Sequence, residues 1–328
     1  MLLTKTQFYH LPVEDKGGFS DFLTTESILE FSGLELLHEA VTCTFPASRI
    51  LSGYTRKRRE ELYLKCAVLE ASLSEKDSFF GKSPEIGYLD SVEKSLLSYY
   101  LGFLFTKLVG SRVFGIQHMV HGQLVRGGDQ KYLYYVGRKK CCTMLGHSLG
   151  DEGYSAWAAR GRSNNTVEAL NEGLDLAGDV LTVQGRDPIH RAVCMTFYEN
   201  GIFSARVQSP KKKGTMELQF EDREFLRAYY QPVRELFFEF YNREEMTDLR
   251  IAGVDVVEVR VTIPYVLAEH AENETERSFY MGMPRALVEN GLREYAEIPP
   301  EWGKLSDALY EKYGDSCYPG QDYIYIRS

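Results

Sequence analysis

The sequence lacks the glycine-rich loops with which nucleotide-binding folds hold phosphates. Neither Gly-x-Gly-x-x-Gly nor Gly-x-x-x-x-Gly-Lys-Ser/Thr occurs in the 328 residues. Both motifs bring backbone N–H groups against a phosphate at the start of a helix. Their absence argues against a dinucleotide site or a P-loop.

Metal-binding spacings are also missing. The six cysteines include no Cys-x-x-Cys pair and no zinc-ribbon spacing, which indicates reduced, buried thiols. His118 and His121 stand three residues apart without the glutamate of the His-Glu-x-x-His motif. On a strand these two side chains would face opposite ways, so we expect at most one to lie inward, held by a hydrogen bond. We predict no metal and no cofactor.

No apolar run is long enough to cross a membrane. The most apolar window, residues 101–120, is interrupted by Lys107 and Arg112, whereas a membrane span needs about 20 nearly uncharged residues. The N-terminus has no basic stretch followed by an apolar core, so no signal peptide is predicted. We expect a cytoplasmic protein without membrane contact.

Positive charge is in short supply. The 38 Lys and Arg residues face 47 Asp and Glu, for a net charge of −9, which argues against wrapping nucleic acid through the overall field. Local basic patches remain at residues 56–59, 138–140 and 211–213. We interpret the first as the solvated face of an early helix, and local nucleic-acid binding through such patches is the alternative.

The chain is rich in aromatic residues, with 22 Tyr and 18 Phe, which favours a well-packed interior or large contact surfaces. Residues 1–85 are predicted to be a helical N-terminal region. Apolar residues recur at helical spacing over 25–40 and again over 55–73. The change to Ser, Lys, Asp, Gly and Pro over 74–87 predicts a boundary.

Residues 86–210 are predicted to form an α/β core with a mixed central sheet. A long amphipathic helix over 90–108 opens this core. Asn165, with Glu168 three residues later, predicts a capping box at the start of a second helix that runs to Gly178. The predicted strands, with a turn at 127–129, cover residues 113–121, 132–136, 141–145, 154–160, 180–184, 192–198 and 202–207.

Residues 211–328 are predicted to be an α+β extension packed on the core. The pattern predicts helices over 221–245 and 284–295 and strands over 254–263 and 323–326. Pro232 lies within the first of these helices and is expected to kink it or to start its second half. The broad apolar stripe of that helix is typical of a core-facing surface, although its width also allows an assembly surface.

This order of elements, with Gly161-Arg162-Ser163-Asn164 after the central strand, resembles the core of PD-(D/E)XK restriction-endonuclease-like proteins. It is similar in particular to a group of bacterial proteins whose central strand ends in Glu-Ala-Lys-Gly-Arg-Ser-Asn. The resemblance extends over residues 91–210 and includes Tyr99-Tyr100-Leu101-Gly102-Phe103 on the opening helix. It implies a restriction-endonuclease-like core.

The resemblance also implies the place of a metal centre. In that family an Asp and an acid-x-Lys pair on neighbouring strands hold a divalent metal and its water, because strand positions i and i+2 share a face. This chain has Thr143 in place of the Asp, Ala158 in place of the acid and Arg160 in place of the Lys. Thr offers one neutral oxygen, Ala offers none and Arg keeps its proton. The resemblance therefore predicts a degenerate, metal-free site.

Several interpretations of this site stay open. A relocated acid could restore a metal centre, because Mg²⁺ prefers oxygen ligands. The space beside Ala158 and the charge of Arg160 could instead hold an anion, or Arg160 could simply pair with a nearby acid. The candidate relocated acids are Glu93, Asp151, Glu152 and Glu168.

The sequence is compatible with two functions. The preferred one is a catalytically inactive nuclease-like scaffold that acts through contacts with a protein partner or a second copy. The family's habits suggest a subunit of a bacterial complex that defends against foreign DNA. The alternative is a metal-dependent nuclease, or a nucleic-acid-binding enzyme, with a relocated active site.

Overall fold

Helices and strands alternate through the part of the chain that the computed structural model describes. The described residues are 7–45, 58–125, 135–136, 139–140, 142–148, 153–240, 246–264, 276–289 and 302–328. The seven α-helices in these ranges are α1 (Gly33–Thr42), α2 (Arg58–Ser72), α3 (Ser91–Phe114), α4 (Val167–Gly178), α5 (Asp222–Glu239), α6 (Arg285–Glu289) and α7 (Trp302–Tyr313).

The strands in the same ranges form two larger sheets and two short pairs. In chain order they are β1 (Phe8–Asp15), β2 (Ser27–Ser32), β3 (Leu73–Lys76), β4 (Phe79–Lys82), β5 (His118–His121), β6 (Tyr135–Val136), β7 (Lys139–Lys140), β8 (Met144–His147), β9 (Tyr154–Gly161), β10 (Val180–Val183), β11 (Arg191–Glu199), β12 (Ile202–Gln208), β13 (Met216–Leu218), β14 (Met246–Ile251), β15 (Val254–Pro264), β16 (Glu276–Pro284), β17 (Cys317–Pro319) and β18 (Tyr325–Arg327).

The larger sheet has nine strands, of which eight lie in the order β2-β1-β4-β12-β11-β9-β8-β5, while β3 pairs with β4 outside this path. β5, β8 and β9 form an antiparallel meander, and β9 runs parallel to β11 after the crossover helix α4. α3 packs on one face of β9 and β11, and α4 packs on the other. The predicted α/β fold with a mixed central sheet is confirmed.

The N-terminal region corrects one expectation, because residues 7–45 and 58–82 are not mainly helical. β1 and β2 form an edge hairpin of the large sheet, and β1 runs parallel to β12. In β1 the buried Tyr9, Leu11 and Val13 alternate with more exposed neighbours. This period of two is the signal of a strand. Residues 73–82, which overlap the stretch predicted as a boundary, form the β3–β4 hairpin of the same sheet.

The helices near these strands agree better with the sequence pattern. α2 lies within the predicted range 55–73, and α3 covers the predicted 90–108 but continues to Phe114, so that β5 starts only at His118. α1 begins at Gly33, where the Ser32 hydroxyl accepts a hydrogen bond from the Glu35 amide. The residues before it, predicted as helix, form β2.

The capping box stands at a different helix from the one predicted. Asp90 and Glu93 form a reciprocal box at the start of α3. The N-cap of α4 is Thr166, whose side chain makes no capping hydrogen bond. The Asn165 amide is engaged elsewhere, because it accepts from Arg206 at 2.5 Å and donates to Glu199 at 3.2 Å. Hydrogen bonds to two residues distant in the sequence therefore take the place of the capping bond predicted for Asn165.

His118 and His121 are both buried, which corrects the expectation that at most one lies inward. The His118 ring bonds the Tyr230 hydroxyl of α5 at 2.8 Å, and the His121 ring stacks on Phe103 of α3 at 5.0 Å. The two side chains do face opposite ways, but helices cover both faces of β5. Their role is packing inside the fold.

The C-terminal part is α+β, as predicted. Its antiparallel sheet has the order β14-β15-β16-β18-β17. One face packs on α7 through Leu305 and Leu309, and the other joins the main core through residues such as Val259 and Met281.

α5 continues through Pro232, and its apolar stripe is buried. α6 starts at Arg285 near the predicted position, and residues 290–295 lie outside the described ranges.

In the first basic patch, Arg59 is exposed as expected for a solvated face, Arg58 is not, and residues 56–57 lie outside the described ranges. Arg58 is buried between α2 and α5, where it contacts Glu61 at 2.9 Å and Glu235 at 2.7 Å. In the third patch, Lys213 pairs with Asp187 at 2.6 Å on the surface.

The predicted turn at 127–129, residues 132–134, Arg138 and Cys141 lie outside the described ranges. Across these ranges no helix combines the length and the apolar character needed to cross a membrane.

Candidate functional site

The predicted site lies on β9, whose alternating side chains face two different helices. Trp157 and Ala159 point toward α3, where Phe114 packs against the indole ring at 5.0 Å. Ala158 and Arg160 share the opposite face, under α4. Ala158 and Arg160 therefore lie on the same face of the strand, as the sequence predicted.

Thr143 lies beside this strand, just before β8. Its hydroxyl accepts a hydrogen bond from the Ala159 N–H at 2.7 Å and donates one to the Trp157 carbonyl at 3.3 Å. Both bonds are made to the backbone of β9, and the side chain is buried. Thr143 thus joins β8 to β9, and its hydroxyl is committed to that role.

Ala158 has no exposed surface, so the space expected beside it is filled. A Cβ atom on Gly173 of α4 would lie 2.4 Å from the Val193 side chain and 3.3 Å from Cγ of Arg160, which shows how closely the helix approaches. The open interpretation of a space for an anion beside Ala158 is therefore contradicted, because apolar side chains fill that space. The residues packed around it are Ala169, Leu170, Ala177, Val193, Met195 and Phe197.

Arg160 pairs with an acid, which was one of the open interpretations. Its guanidinium lies 3.8 Å from the Glu172 carboxylate on α4, and the Arg162 guanidinium lies 3.7 Å from the same carboxylate. Because Glu172 is 63% exposed, each contact contributes at most about 1 kcal/mol. The aliphatic part of Arg160 also lies close to Gly173 of α4, at the rim of the apolar cluster.

The relocated acids do not converge where the structure describes them. Glu93 and Glu168 are exposed, and each lies in the first turn of its own helix, α3 or α4. A carboxylate at a helix start is stabilised by the helix dipole, which accounts for both positions. Asp151 and Glu152 lie outside the described ranges. Among the described side chains, no group of three or more His, Cys, Asp or Glu is arranged to hold a metal ion.

A second polar cluster, missed by the sequence reasoning, lies buried where α1, α3, α5 and the turn before β18 meet. We call it the charge cluster, and it comprises His38, Glu39, Lys107, Tyr229 and Asp322. The Lys107 ammonium lies 2.9 Å from the Glu39 carboxylate and donates to the Tyr229 hydroxyl at 3.2 Å. His38 Nε2 lies 2.9 Å from the Asp322 carboxylate, and Tyr229 donates its hydroxyl to the same carboxylate.

The charges of this cluster shift one another's pKa values. Burial alone would lower the His38 pKa, but the charge of Asp322 and its hydrogen bond outweigh burial and raise it to about 9. Burial alone would raise the Asp322 pKa, yet the His38 charge lowers it to about 2. Burial would also raise the Glu39 pKa, and the Lys107 ammonium reverses that and lowers it. His38 and the two carboxylates are thus charged at neutral pH.

Part of the charge cluster could have been recognised from the sequence. Glu35, His38 and Glu39 recur at i, i+3 and i+4 of a helix that is otherwise apolar, and Lys107 interrupts the most apolar window of the chain. Charges set in such surroundings need partners. The partner Asp322 lies 284 positions from His38, so local pattern could not identify it.

Comparisons with protein-family profiles, with curated proteins and with solved structures find no match to this chain. A function is therefore inferred from the geometry of the site on β9 and of the charge cluster.

Proposed function

We propose that this chain is a catalytically inactive, nuclease-like scaffold that acts through protein–protein contacts. The proposal rests on the contacts of the three residues at the positions that the resemblance matches to the family's metal centre. The Thr143 hydroxyl bonds the backbone of β9, Ala158 lies in apolar packing, and Arg160 pairs with Glu172. A hydrolytic metal centre needs carboxylates that converge on one point, and these positions supply none.

The restriction-endonuclease-like lineage is supported by the order of elements around β9. A long helix, α3, precedes the meander β5, β8 and β9, and the crossover helix α4 leads to the parallel strand β11. This is the order on which the resemblance rests. The three positions matched to the family's metal centre, Thr143, Ala158 and Arg160, lie on β9 or beside it, which supports the proposal of a degenerate centre there.

Protein contact is supported by an exposed apolar row on the first half of α3 and the turn before it. Val92, Leu96 and Tyr99 stand at i, i+4 and i+7, so they lie on one side of the helix. Tyr88, in the preceding turn, is 92% exposed and Val92 is 74% exposed. Exposed apolar side chains along one side of a helix are typical of protein contact sites. The defence setting and the identity of a partner stay proposals drawn from the family's habits.

The test is a cleavage assay on the full chain. The protein is incubated with mixed single-stranded and double-stranded DNA and RNA, with Mg²⁺ or Mn²⁺ and with a chelator as control. The scaffold proposal expects no metal-dependent cleavage. Metal-dependent cleavage that disappears in Glu168→Gln or Glu152→Gln would establish the alternative, an enzyme with a relocated site.

Purification from native cells provides the second arm. We expect the chain to co-elute with a protein partner or as an oligomer larger than the 37.5 kDa of one chain. A single monomer peak that binds nucleic acid tightly would contradict the proposal.

A further inference from the structure

We draw no further inference here: the strongest candidate, the exposed apolar row of Tyr88, Val92, Leu96 and Tyr99 on the first half of α3 and the turn before it, belongs to the proposed contact surface already described, and nothing in the described part of the chain shows what covers it.

Discussion

Gly102 of α3 and Gly161 of β9 lie backbone against backbone where the helix crosses the end of the strand. A Cβ atom on Gly102 would lie 2.6 Å from the Gly161 nitrogen, and one on Gly161 would lie 1.6 Å from the Ser98 carbonyl oxygen. Glycine is the residue that permits such an approach. The first residue of the Gly-Arg-Ser-Asn segment thus has a packing role that needs no catalytic explanation.

This contact predicts the effect of adding one methyl group. Gly161→Ala should lower the free energy of unfolding by about 3 kcal/mol or more, and Gly102→Ala by about 1–3 kcal/mol, because the backbone atoms they meet cannot move aside. Gly87→Ala is the control, since nothing lies within 4 Å of its added Cβ, and it should change stability by less than about 0.5 kcal/mol. Urea unfolding measures all three. Equal stability of the three variants would contradict the close contact.

Thr143 should be sensitive to loss of its hydroxyl and tolerant of loss of its methyl group. Thr143→Val leaves the buried Ala159 N–H without this acceptor and should cost about 1–3 kcal/mol. Thr143→Ser keeps the hydroxyl and should cost less. Thermal unfolding of the two variants checks the order, and a Thr143→Ser protein less stable than Thr143→Val would refute the assigned role.

The effect of removing the Lys107 ammonium should depend on the charge of Glu39. Lys107→Met leaves a buried carboxylate without its cation and should lower the free energy of unfolding by about 3–5 kcal/mol. Adding Glu39→Gln should recover part of this loss. A double-mutant cycle from denaturant curves gives the coupling. Simple additivity of the two changes would show that the pair is not coupled.

Glu35 gives the stability a dependence on pH in the acidic range. Burial raises its pKa to about 7 despite the Arg112 guanidinium at 2.9 Å. A raised carboxyl pKa means that stability falls as the pH rises from about 4.5 to 7, by about 3 kcal/mol. The Glu35→Gln variant should lack this fall. Denaturant curves from pH 4 to 8 compare the two proteins, and parallel pH profiles would disprove the assignment.

The exposed row on α3 should matter for contacts and not for folding. Leu96→Glu places a charge in the apolar row and should abolish recovery of a co-purifying protein, or reduce the oligomer to a monomer, with unchanged thermal stability. Ser95→Glu adds the same charge at the neighbouring exposed position and serves as control. Undiminished association of Leu96→Glu would place the contact surface elsewhere.

Much of the core around the candidate site could be predicted because its signals are local. The helical spacing over 58–72, 91–114 and 167–178 and the strand pattern of β9, β11 and β12 depend on residues a few positions apart. The shared face of Ala158 and Arg160 follows from strand alternation alone. The helix predicted over 25–40 failed in its first half, because residues 27–32 pair antiparallel with β1, which itself runs parallel to β12.

The sequence by itself determined that β9 carries no carboxylate, because residue identity alone decides which atoms a strand can offer to a metal. Only the tertiary structure decided what surrounds Thr143, Ala158 and Arg160. It placed apolar side chains of α4 over Ala158, bonded Thr143 to the backbone of β9 and set α3 against Gly161. It also brought Asp322 to His38. Such partners are chosen by packing across the whole chain, which no local pattern encodes.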